Sequence, residues 1–412
     1  MRSPAAAFTI AVVLTYVIGA VVIAHAQRPA ARPLLMDGHT HITNRVYWEA
    51  IDPWKASDIG LFDYARAWEG GANVVFENVG TYGYEDYDGT VKQAGRLIET
   101  FHRTLESHRD KMELALTSAD VRRIVASGKM AVLLGIESGF DQDGDVDILR
   151  LWYRLGVRSI VFTSHQTNAY ADSVMRGGEH WGGINDRGRQ LIAEMNRLGM
   201  LIDISHATDP ARRQIIEASR APVVASHVGL KSVANGPLNI PDDVARSLAV
   251  KGGLIGVTSV APMTTERYRE WTMTHRSPET GGGIIPGPDW TTERKRAPDY
   301  GQYANAFDPY MRQRWLTMWA KPWHDDPDAP VPTVDDWVDH VAKIVAMVGA
   351  EHVGIGLDLW QGRSHLKDWD ARGYRKLAEA LTRRGIPESV LGDNWLRVLD
   401  TAKVSDAVKA AK

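Results

Sequence analysis

Eight short apolar runs separated by amphipathic stretches predict a (β/α)8 TIM barrel. Two further observations agree. The runs are almost continuously apolar, as strands buried on both faces require. Six of the eight also end in histidine or a carboxylate, and in a barrel the C-terminal strand ends share one face, where active sites are built. An open doubly wound sheet is the alternative. It is weakened because no glycine-rich phosphate loop follows the first run.

The N-terminus precedes this pattern. Arg2 is the only charge before an apolar run from Ala5 to Ala24, which closes on Ala24-His25-Ala26, a small-x-small cleavage pattern. Residues 1–26 therefore read as a secretory signal peptide and 27–33 as a linker. The expected product starts at Gln27 and is periplasmic or extracellular. An uncleaved anchor is the other reading, because the run nearly spans a bilayer. Residues 34–412 then form the barrel, about 380 residues, a normal size when loops carry insertions.

The first strand, 34–37, leads directly into His39-Thr40-His41. Alternate strand residues share a face, so the two imidazoles can converge on a divalent metal such as zinc. A hydrogen-bonded structural pair explains this motif alone equally well. The remaining strands are predicted at 73–79, 130–136, 159–163, 200–204, 222–225, 253–258 and 353–357, with helical patterns between them at 90–108, 145–155, 186–198, 209–219, 241–250 and 333–348. The third strand ends in Glu137, the fourth in His165, the fifth in His206, the sixth in His227 and the eighth in Asp358. A single strand-end histidine is usually structural. Clustered histidines and carboxylates on one face indicate a metal-dependent site. After the seventh strand comes a long insertion, 262–332, with Trp271, Trp290, Trp315, Trp319 and Trp323. It reads either as a lid over the catalytic face or as a subdomain packed on the barrel or on a second copy in a homodimer. The stretch from Tyr82 to Asp88 is a second candidate for the same mouth.

Composition narrows the chemistry. The chain has no cysteine, which excludes disulfides, thiolate ligands, a cysteine nucleophile and a lipidated cysteine. A net charge of −3 with both signs mixed offers no basic patch for nucleic acid. Contact with a membrane is expected only through a retained signal segment. His102, His108, His275, His324, His340 and His365 are expected at the surface, His180 near the active face, and His352 as a packing residue at the opposite end.

In these motifs the chain resembles the membrane (renal) dipeptidase family of metal-dependent, amidohydrolase-like hydrolases. The carriers are Asp37-Gly38-His39, Gly135-Ile136-Glu137, Ser164-His165, Asp203 to His206, Ser226-His227, Asn239 to Asp243, Gly354 to Asp358 and Gly392 to Arg397. The resemblance implies two zinc ions per chain and a small, dipeptide-like substrate. Glu137 would bridge the ions, His39 and His41 would complete one, and His206 and His227 the other. A water or hydroxide between them would attack the scissile carbonyl. Asp358 would move the proton to the leaving amine, and His165 would stabilise the oxyanion. Two departures stand out. The family's first motif usually reads His-x-Asp, and here it is His39-Thr40-His41. Leu238 stands where members commonly carry an arginine for the substrate's carboxylate. Histidine at position 41 keeps open a barrel acting on a phosphoester or lactone, and a barrel that binds metal and ligand without turnover is a further alternative, which the presence of both Glu137 and Asp358 argues against.

Overall fold

The computed structural model describes residues 33–58, 60–80, 89–137, 143–175, 177–275, 328–359 and 365–403. Most of the signal and linker segments, the Tyr82 to Asp88 stretch, and 276–327 of the insertion with four of its five tryptophans lie outside them. Among the described residues no helix is long and apolar enough to cross a membrane.

The strands are β1 (Met36–Thr40), β2 (Val74–Gly80), β3 (Met112–Leu114), β4 (Met130–Glu137), β5 (Val157–Val161), β6 (Leu201–Asp203), β7 (Val224–Val228), β8 (Leu254–Val257) and β9 (Val353–Ile355). All pair in parallel, in the order β1-β2-β4-β5-β6-β7-β8-β9. The ends of that order meet at a parallel bridge between Thr40 and Leu359, where His41 N donates to Leu359 O and Asp358 N to His39 O, both at 3.1 Å. This is the expected barrel of eight parallel strands with helices between. The extra strand, β3, pairs with the start of β4, ahead of the stretch that β5 occupies.

Strand periodicity divides the core. In β4, Val132, Leu134 and Ile136 pack outward with helix residues such as Leu97, Phe101 and Leu149. The alternating Ala131 and Leu133 join Met36, Phe76, Val224 and Leu254 in a second cluster around Trp395 inside the barrel. Glu137 continues the inward set at the C-terminal end of β4. Helices follow the predicted patterns closely, at Gly89–Ser107, Val146–Arg154, Asp186–Leu198, Asp209–Ala218, Asp242–Val250 and Val334–Val348. Three of these starts show side-chain caps of different kinds: Asn185 accepts from Gly188 N, Thr208 from Ala211 N, and Thr333 forms a reciprocal capping box with Asp336. The described start of the insertion is helical, at Ala261–Thr264 and Glu266–Thr274.

Two expectations about histidines are corrected here. His340 and His365 are not surface groups: each is only 2% exposed. The ring of His340 sits on the buried face of its helix beside Trp337, Val341 and Ile344, and accepts a hydrogen from Leu230 N at 2.9 Å. His365 lies 2.7 Å from Ser259 Oγ through Nδ1. His352 does serve packing, donating to Gly253 O at 2.9 Å.

Candidate metal centre

The strand ends bring six groups together. His39 and His41 come from the end of β1, Glu137 from β4, His206 from just beyond β6, His227 from β7 and Asp358 from beyond β9. All are at least 96% buried. His39 Nε2 and His41 Nε2 are 3.0 Å apart, and each is 3.0 Å from Glu137 Oε2. The other carboxylate oxygen, Oε1, is 2.8 Å from His206 Nε2, which is 3.0 Å from His227 Nε2. Asp358 Oδ1 lies on the first side, 3.6 Å from His41 Nε2 and 3.9 Å from His39 Nε2. His165 stands apart from this set. It is half-buried, and its ring meets that of His206 edge-on at 5.6 Å.

Backbone geometry aims two of these side chains. His206 has φ 64° and Asp358 has φ 60°, the left-handed region that residues other than glycine enter at a cost of roughly 1–2 kcal/mol. Both lie where a strand gives way to its loop. Neighbouring carboxylates hold the same loops in place. Asp37 accepts from His39 N at 3.1 Å, Leu357 N at 3.0 Å and the Tyr374 hydroxyl at 2.5 Å, which ties β1 to the segment after β9. Glu77 accepts from Ile42 N at 2.8 Å and Thr43 N at 2.7 Å, fixing the chain just after His41.

Electrostatics follow from this crowding. Burial pushes the Glu137 carboxyl upward, but the imidazoles of His206, His39 and His41 outweigh it and hold the group well below the usual range. Burial, reinforced by the His39 ring, drives His227 well below its ordinary value, and burial also lowers His206. In His39 burial is overcome by the hydrogen bond and charge of Glu137, and the group is pulled up.

The donor set suits a divalent cation. The Asn78 carbonyl, 2.7 Å from His41 Nδ1, can only accept, so that nitrogen carries the hydrogen and a neutral His41 turns an Nε2 lone pair toward Glu137. Nε2 atoms and carboxylate oxygens packed at about 3 Å need a shared proton or a cation among them, and imidazole with carboxylate is the ligand mix for zinc and its first-row neighbours. Ligand atoms of His39, Glu137 and His227 lie within 4.8 Å of one another, as do those of His39, His41 and Asp358.

Leu238 is buried in a small apolar cluster with Val260 and Met263, against which Val174 and Met175 pack. Val174 N donates to His206 O at 2.9 Å, so the cluster borders the histidines. His180 is exposed in the same loop, its ring edge-on to Trp181 at 4.3 Å. Sequence reasoning gave no role to Asn78, Asp203 or Ser226. Asp203 and Ser226 carried a signal, because polar side chains inside apolar strands must find partners, whereas Asn78 meets His41 through its backbone carbonyl, which no residue type marks.

Comparisons with known proteins agree with the architecture. A family model described as membrane dipeptidase (peptidase family M19) matches residues 23–412. Dipeptidase verJ of Clonostachys rogersoniana is 28% identical over 327 residues, which cover 78% of this chain and 66% of that protein. The crystal structure of the probable dipeptidase PvdM from Pseudomonas aeruginosa superposes with TM-score 0.72 at 20% identity, covering 90% of this chain and 96% of that one. A metallo peptidase from Rhodobacter sphaeroides, solved with a phosphinate mimic of the dipeptide L-Ala-D-Ala, gives TM-score 0.67 at 19% identity over 90% of this chain and 99% of that one. At such identities the structural likeness concerns the fold.

Proposed function

The chain belongs to the membrane dipeptidase family, peptidase family M19, and we propose that it is a two-metal hydrolase cleaving the amide bond of a dipeptide-like substrate. One observation carries this reading: the two oxygens of Glu137 face different sets of imidazoles, Oε2 toward His39 and His41 and Oε1 toward His206, with His227 beside it. A carboxylate so divided can serve two cations. His39 and His41 would hold one zinc ion, and His206 and His227 the other. Bound ions would polarise the scissile carbonyl and acidify the attacking water.

The chain's own groups supply the rest. Asp358 accepts the proton of the attacking water and returns it to the leaving nitrogen as the C–N bond breaks. Its place beside His39 and His41 suits that task. His165, at the open side of His206, donates to the carbonyl oxygen as negative charge develops there. The dipeptide mimic bound by the Rhodobacter sphaeroides enzyme supports a substrate of this size.

Elemental analysis and kinetics on two variants test the reading. Asp358→Asn should lower kcat by about a hundredfold or more and keep most of its metal. Glu137→Gln should lose both ions together. An Asp358→Asn protein that loses metal in step with activity would make Asp358 a ligand rather than the base. A wild-type protein that binds no divalent metal would end the proposal.

A further inference from the structure

Behind the histidines, one hydroxyl has three partners. Ser226 Oγ, on β7, lies 2.9 Å from His39 Nδ1 and 2.8 Å from His227 Nδ1, and it also hydrogen-bonds Asp203 Oδ2 at the end of β6. A serine hydroxyl has one hydrogen and two lone pairs. Asp203 fixes where the hydrogen goes. Its Oδ1 already accepts from Ser205 N at 2.9 Å, Ser205 Oγ at 2.8 Å and Ser226 N at 3.0 Å, so the carboxylate acts here purely as an acceptor. A hydrogen bond to a carboxylate is also stronger than one to a neutral ring nitrogen. The Ser226 hydrogen therefore points at Asp203, and both lone pairs of Oγ face the imidazoles.

From this geometry we infer that Ser226, oriented by Asp203, is a positioning residue that sets both His39 and His227 in the Nδ1–H form. Each ring then presents its Nε2 lone pair to the centre. The inference rests on the two-metal reading and adds a link to it: the two rings belong to different halves of the site. His39 stands with His41 at Glu137 Oε2, and His227 stands with His206 beside Oε1. Their ring centroids are only 3.8 Å apart. One hydroxyl thus prepares a ligand for each ion. His41 is set independently by the Asn78 carbonyl, so it is an internal control.

The test uses full-length protein labelled with 15N-histidine. In the metal-free wild type at pH 8, side-chain 15N shifts should show a hydrogen on Nδ1 of His39, His227 and His41 alike. In Ser226→Ala, His39 and His227 should move toward a mixture of tautomers while His41 stays fixed. Cobalt titration followed by visible absorption should show both binding steps weakened about ten- to a hundredfold, the usual effect of losing an outer partner of a ligand. Asp203→Asn provides a second reading. It places a donor opposite Ser226, frees the serine hydrogen for one ring and should leave that ring as Nε2–H. Melting of the metal-free variants reports whether they remain folded. Tautomers unchanged from wild type in a folded Ser226→Ala protein would overturn the inference, as would cobalt affinity equal to wild type. Failure of wild-type protein to bind cobalt at all would instead refute the two-metal reading on which it stands.

Discussion

Buried histidines in this barrel divide by what their ring nitrogens meet. His39, His41 and His206 turn Nε2 toward Glu137, whereas His340 turns it to a backbone N–H. Burial pushes His340 from 6.5 down to about 4. A proton on Nε2 would set two donors face to face at Leu230. In the unfolded chain the ring protonates below its ordinary value, and in the folded chain only below the depressed one. The neutral ring therefore contributes stability above pH 6.5 that is lost as pH falls toward 4, up to about 3 kcal/mol from this ring. His340→Gln accepts the same hydrogen without titrating. Urea midpoints at pH 7 and pH 4.5 should differ less in that variant than in wild type. Equal slopes would show that His340 is not a source of acid sensitivity. The burial of this ring was open to sequence reasoning, since His340 falls three residues after Trp337 and four before Ile344 on one helical stripe. Ring tautomers were not, because Asn78 and Ser226 meet their histidines only in the closed barrel.

At the level of elements, the loops after β7 and β8 decide what the site can recognise. Arg212 is fully buried, and its guanidinium is committed to Leu238 O at 2.9 Å, Asn239 O at 3.0 Å and Asp209 at 2.8 Å. Asn239 joins the same loops, accepting from Gly229 N at 2.8 Å and donating to Met263 O at 2.9 Å. This latch presents the Leu238, Val260 and Met263 cluster rather than a charge. A free dipeptide brings a carboxylate close to its scissile amide, and an apolar wall gives it no partner. Matched substrates with free and amidated C-termini should therefore differ by less than about tenfold in kcat/KM. A loss of a hundredfold or more on amidation would reject this and point to Arg176 or Arg363, which lie outside the described residues. The sequence showed these loops less clearly than the strands. All eight predicted strands appear within a few residues of their expected positions, because a continuous apolar run signals burial on both faces. The three-residue β3 was not singled out, since Glu113 at its centre breaks the continuous apolar run that marked the equally short β6 and β9. Arg212 looks like any helical arginine until its carbonyl partners are folded around it.

Over the whole molecule, the chemistry and the stability sit at opposite ends of the barrel. The terminal helix Asp393–Thr401 closes the far end. Trp395, 1% exposed, inserts among Met36, Phe76, Leu133 and Leu254 and donates from Nε1 to Ile355 O at 2.9 Å. Strand glycines make room for it: a Cβ at Gly38 would lie 2.0 Å from the ring, and one at Gly354 2.6 Å away. The helix is also fastened by backbone carbonyls. Asn394 Nδ2 donates to Ala350 O at 2.7 Å and Val353 O at 2.8 Å, and Arg397 binds Gly252 O at 2.6 Å and Glu351 O at 2.8 Å. This is the physical role of the Gly392 to Arg397 motif, which the sequence marked without explaining. Trp395→Ala empties the centre of a packed barrel whose glycines cannot grow to refill it. The loss should be about 3–5 kcal/mol, read as a lower urea midpoint with the slope unchanged. Trp395 donates to the Ile355 carbonyl and not to a side chain of the metal centre, so the fraction that stays folded should bind cobalt with wild-type affinity. A destabilisation below about 1 kcal/mol would show that the strands close this end without the tryptophan. A parallel loss of cobalt affinity in folded protein would show that the two ends are coupled through the barrel core.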